Sequence, residues 1–129
     1  MSDNKILKRA NELFEEIRTI RRDVHMHPEL GYHENRTSAL IKAKLREYGV
    51  DNIEQPTPTS VVATIVDRKG EGKTIALRTD IDALPINEET GLEFASENDG
   101  VMHACGHDFH VSMMLGNAEM LSEMRDEFC

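Results

Sequence analysis

The chain has 129 residues, the length of one domain, and 39% of them are apolar. Fifteen Lys and Arg stand against 24 Asp and Glu, a formal net charge of -9, which repels a phosphate backbone and argues against a nucleic-acid partner. No run approaches the ~18 apolar residues of a membrane span. Charges interrupt the N-terminal stretch MSDNKILKRANELFEEI, so it does not read as a secretory signal. Cys105 and Cys129 are too few for a disulfide framework. A reducing cytoplasm is the expected location, with no Cys105–Cys129 disulfide and no membrane partner.

Apolar residues Ile6, Ala10, Leu13, Phe14, Ile17, Ile20 and Val24 recur at steps of three and four, which predicts an amphipathic helix over about 4–25. Pro28 ends it. A second helix is predicted over about 35–48, with Thr37, Leu40, Ile41, Lys44, Leu45 and Tyr48 on its stripe and Gly49 as its left-handed stop. The period then changes to two. Val61–Val66 and Thr74–Leu77 read as strands, and the polar turn 67–73 between them signals a hairpin. The acidic stretch Pro85–Gly100 reads as a surface loop, a candidate active-site wall. A last helix is predicted from about Asp108 to the final residues, with Val111, Met114, Leu115, Ala118, Leu121 and Met124 on its stripe. This order predicts an α/β or α+β domain. Two strands are fewer than a usual sheet, so part of a sheet is expected to be absent.

Three segments carry chemistry. The densest is His103-Ala104-Cys105-Gly106-His107-Asp108-Phe109-His110. Thiolate and imidazole are the favoured ligands of zinc and related metals. In an extended stretch, Cys105 and His107 would point to one side, with Gly106 leaving the backbone free to turn. The following helix would present its positive end to the site and favour a thiolate. Asp108 could cap that helix or orient a ligating imidazole. A buried cysteine beside surface histidines at a helix start is the plainer alternative. The second segment, Thr79-Asp80-Ile81-Asp82-Ala83-Leu84-Pro85, follows a predicted strand, where α/β sheets place their sites. Asp80 and Asp82 could bind a hard cation, orient a ligand or tune a base, or simply form a solvated, capping turn. The third, Arg22–Gly31, contains His25 and His27, which read either as ligands or as residues of a capped helix end.

At these residues the sequence resembles a known family. RRDVHMHPELGYHENRTS, TIALRTDIDALPINEETGLEFAS and GVMHACGHDFHVSMMLGNAEML are similar, in order and spacing, to segments of the metal-dependent amidohydrolases of the aminoacylase and carboxypeptidase clan. The nearest branch holds N-acyl-amino-acid amidohydrolases, hippurate hydrolases and indole-acetyl-amino-acid hydrolases. The resemblance covers nearly the whole chain. It implies the N-terminal part of a three-layer α/β/α zinc-peptidase-like catalytic domain, here residues 1–129, with the remaining strands and the lid and dimerisation domain absent.

The resemblance also implies site residues. Cys105 and His107 match metal ligands, with Cys105 placed to bridge two divalent ions of zinc, manganese, cobalt or nickel. Asp82 matches an aspartate that orients a metal ligand. Asp80 stands where the wider clan has a ligating histidine and this branch commonly has Asp, so it is not assigned as a ligand. A three-ligand site would need His103, His110 or Asp80 in addition. The family reaction is hydrolysis of the amide of a small N-acyl amino acid. Its catalytic glutamate and later histidines belong to segments beyond those matched here. Glu88-Glu89 precedes the metal motif and is not assigned that role. The isolated chain is therefore expected to be inactive. A stand-alone metal-binding module, or a subunit needing a complementing chain, are the competing expectations. Met113, Met114, Leu115 and Leu121 are candidate exposed apolar residues for self-association.

Overall fold

The computed structural model describes residues 3–50, 52–70 and 72–128. Expectations for Cys129, and for Glu71 within the 67–73 turn, lie outside the described residues. The element order is α1 (Asp3–Met26), α2 (Asn35–Glu47), β1 (Ile53–Glu54), β2 (Val62–Ala63) and α3 (His107–Glu123).

Leu13, Ile17, Ile20 and Val24 form the buried face of α1, their four- and three-residue steps keeping them on one stripe. Ile6 and Phe14, expected on that stripe, are exposed. Pro28 lacks a donor and restricts His27, and α1 closes with His27 N–H donating to Val24 O at 3.3 Å.

Glu29 caps α2 from outside the helix. Its carboxylate accepts from Arg36 N–H at 2.9 Å, Thr37 N–H at 2.8 Å and the Thr37 hydroxyl at 2.9 Å, while Glu34 at the N-cap position makes no side-chain cap bond. At the other end Gly49 has φ 75°, as its position predicted. Gly49 N–H donates to Arg46 O and Val50 N–H to Leu45 O, the paired bonds of a Schellman stop, with Val50 fully buried beneath.

α1 and α3 run antiparallel, fastened along their length. Lys5 meets Glu127, Arg9 meets Glu119 at 3.0 Å and Glu123 at 2.6 Å, and the last turn of α1 meets Asp108. Between these ion pairs the helices approach closely at Gly116, where an added Cβ would lie 3.1 Å from Ile17 Cδ1. The core joins Ile20 and Val24 of α1, Leu45 and Val50, and Val111, Leu115 and Ala118 of α3.

The hairpin differs from its predicted form. β2, inside the predicted 61–66 strand, pairs antiparallel with β1 upstream (Ile53 opposite Ala63), and Thr74–Leu77 forms no strand. Ile75 and Leu77 are 80% and 59% exposed, so no packed face rewards an extended conformation there. α3 also stops earlier than predicted: the chain turns after Glu123, with Met124 N–H on Met120 O and Glu127 N–H on Met124 O. Leu115 is core rather than exposed apolar surface and Met114 is half-buried, whereas Met113 and Leu121 are exposed. No described helix is long and apolar enough to cross a membrane.

Candidate metal centre

Two isolated β-bridges gather the three chemistry-bearing segments. Leu30 pairs with Ala83 and Leu84 with Met102. Ala83 N–H donates to Glu29 O at 2.8 Å, and Leu84 and Met102 exchange bonds of 2.9 and 3.0 Å. The segment after Thr79 is thus laced between the Pro28–Gly31 turn and the approach to α3. Gly31 packs on Asp82, whose Oδ2 lies 3.8 Å from where a Cβ would stand.

This lacing sets Asp82 against the first residue of α3. His107 Nδ1 lies 2.9 Å from Asp82 Oδ1 and 3.0 Å from its carbonyl oxygen. With Nδ1 donating to these acceptors, Nε2 is the nitrogen left with a lone pair. Cys105, two residues earlier, is an exposed free thiol. Gly106 between them has φ 90°, so the stretch turns rather than extends, and the alternation expected to align Cys105 and His107 does not operate. The His110 ring stacks on His107 at 5.6 Å between centroids. Asp80 is held in an ion pair with Arg78 at 2.6 Å. His103 is buried, its two ring nitrogens without hydrogen-bond partners, and burial pushes its pKa down. Among the described residues no group of three or more His, Cys, Asp or Glu side chains converges as a metal cage.

Asp108 and His25 have roles that sequence reasoning missed. Asp108 makes no helix cap. It is fully buried and points at α1, with Oδ2 2.7 Å from His25 Nδ1 and 2.8 Å from Arg21 Nε. His25, read as a ligand or as a residue of a capped helix end, is buried and joins no metal-ligand cluster among the described residues. Its Nε2 lies 3.1 Å from Glu88 Oε1, so the ring bridges two carboxylates. Glu88, expected in a surface loop, keeps only 3% of its side chain exposed. Burial pushes its carboxyl up, but hydrogen bonds from Thr90, Ser96 N–H and His25 outweigh burial and hold it below the usual range. Arg21 lies 4.2 Å from the Phe109 ring centroid and 5.1 Å from that of Phe94. His27 instead bonds back to Asp23 O at 2.7 Å. The i,i+4 pairing of Arg21 and His25 was visible in the sequence; the carboxylates come from 63 and 83 residues away and were not.

Residues 76–129 match the model of peptidase family M20/M25/M40. Over that stretch, 54 of its 129 residues, the chain is similar to this family. It is 42% identical over 127 residues to the N-acyl-L-amino acid amidohydrolase of Geobacillus stearothermophilus, an alignment covering 98% of this chain and 34% of that protein. With the N-acetyl-L-cysteine deacetylase of Bacillus subtilis it shares 50% identity over 107 residues, 83% of this chain and 26% of the relative. The structure superposes on a dinuclear metal-binding M20 peptidase of Bacillus subtilis with a TM-score of 0.84 at 43% identity, covering 89% of this chain and 32% of that one. The chain spans about a third of the length of the curated relatives it matches. The fold is accordingly part of an M20-type α/β catalytic domain.

Proposed function

We propose that residues 1–129 are the part of a metallohydrolase catalytic domain that supplies Cys105 and His107 to a divalent metal centre acting on the amide bond of small N-acyl amino acids. One observation carries this reading. His107 is fixed by Asp82 through Nδ1, so its Nε2 is the ligating nitrogen, and it starts a helix two residues after an exposed thiol. A histidine ligand oriented by a carboxylate on its other nitrogen is the usual construction of such centres.

The donor set fits half of a metal site. Soft thiolate and imidazole suit zinc and also cobalt, nickel or manganese to differing degrees. Such a metal supplies an activated water and polarises the scissile carbonyl. Asp82 keeps the His107 tautomer and ring plane. His110, stacked on His107, limits rotation of that ring.

Among the described residues no glutamate joins Cys105 and His107 in one cluster, so the isolated chain is expected to bind metal weakly and not to turn over. Incubation with a panel of N-acyl amino acids and each of zinc, manganese, cobalt and nickel tests this by the amine released. No release is the expected result. Release abolished by Cys105→Ala would keep the site and overturn the expected inactivity. The subunit reading draws on the exposed Ile75 and Leu77, and restoration of activity by a second polypeptide carrying the remaining family segments would favour it.

A further inference from the structure

We infer that Arg21, His25 and Glu88 are positioning residues for the metal centre, holding the backbone at His107 by clamping its neighbour Asp108. The inference rests on the reading of Cys105 and His107 as ligands. His107 is constrained on two sides. Its ring is fixed by Asp82, and the next residue, Asp108, is drawn into the interior by His25 at 2.7 Å and Arg21 at 2.8 Å. His25 is in turn held through its other nitrogen by Glu88 at 3.1 Å. The last turn of α1, the 85–100 loop and the start of α3 therefore meet at one imidazole, 98% buried. Phe94, edge-on to His25 and beneath Arg21 and Arg22, closes the cluster from the loop side.

A salt-bridged carboxylate beneath a core does not ordinarily favour stability over apolar packing. Four polar side chains spent at this one point, directly behind a ligand, are better explained by the geometry they impose. Because Gly106 has no side chain to anchor and adopts φ 90°, the ligand pair depends on Asp108 for its placement. Carboxylates and imidazoles behind metal ligands typically govern affinity by about 10–100-fold.

Cobalt(II) titration of the 129-residue protein tests this, read by the thiolate-to-metal charge-transfer band and the d–d bands. Cys105→Ser should remove the charge-transfer band. His25→Gln, with native circular dichroism, should weaken cobalt binding by about 10–100-fold and shift the d–d bands. Glu88→Gln should do the same more mildly, with Glu88→Asp restoring most of the affinity; it serves as the second variant if His25→Gln does not fold. Folded His25→Gln and Glu88→Gln proteins with unchanged affinity and spectrum would overturn the positioning role while leaving the metal site intact. A charge-transfer band that survives Cys105→Ser, or never appears in the unaltered protein, would overturn the metal reading itself.

Discussion

At the scale of single residues, the contact that matters most is His107 Nδ1 on Asp82. Asp82→Ala frees the ring to rotate and to change tautomer, and should lower metal affinity by ~10–100-fold in a chelator-competition titration. An unchanged affinity would remove Asp82 from the site. Tyr32 offers a different test. It is 92% exposed and sits at φ 68°, a left-handed conformation that costs an L residue ~1–2 kcal/mol. Glycine removes that cost but adds ~0.5–1 kcal/mol of chain entropy, so Tyr32→Gly should stabilise by up to ~1.5 kcal/mol in denaturant unfolding. The Cys and His donors proposed for the metal stand within eight residues of one another, so the donor types were legible in the sequence. Of the two readings of Asp108 the helix cap fails, and sequence spacing does not reveal that Arg21 and His25 lie across the interface from it.

At the scale of elements, helix ends were legible where local chemistry alone sets them. Gly49 and Pro28 stop their helices as their intrinsic geometry dictates. The cap on α2 was not legible, because Glu29 reaches it from seven residues before Arg36. Glu29→Ala strips three hydrogen bonds from the first turn of α2 and should cost ~1–2 kcal/mol. Thr74–Leu77 has strand composition but no strand, because β propensity measures fit to a packed sheet and these residues are exposed. The α1–α3 contact gives the strongest packing test. Gly116→Val forces a branched side chain against Ile17 and should destabilise by ~1–3 kcal/mol. If its unfolding midpoint equalled that of the unaltered protein, the close approach of the two helices would be refuted.

At the scale of the whole molecule, buried and half-buried carboxylates set the response to acid. The hydrogen bond from Lys44 leads in holding Glu16 below the usual glutamate range, against the upward pull of burial. Glu88 is likewise lowered. For both, the folded pKa lies beneath the unfolded one. Their stabilisation is complete above the ordinary glutamate pKa and is lost as pH falls through the lowered value. Glu119 is raised, chiefly by burial, and has the opposite sign, so it partly offsets the loss on acidification. The melting temperature should fall as the pH drops below the ordinary glutamate value of 4.5 and through the lowered values of Glu16 and Glu88. Glu88→Gln should melt lower at neutral pH yet lose less on acidification, and a parallel pair of curves would contradict this.

The assembly of the site is also a property of the whole chain. Each of the three motifs is short and ambiguous alone. They become one site only because Leu30, Ala83, Leu84 and Met102 pair their backbones, and backbone pairing between segments tens of residues apart leaves no mark in local composition. The account as a whole stands on Cys105 and His107 binding one metal. X-ray absorption of the zinc-loaded protein tests that most directly. It should show a sulfur at about 2.3 Å together with imidazole nitrogen at about 2.0–2.1 Å, the sulfur vanishing in Cys105→Ala. A first shell of oxygen and nitrogen alone in the unaltered protein would contradict the account.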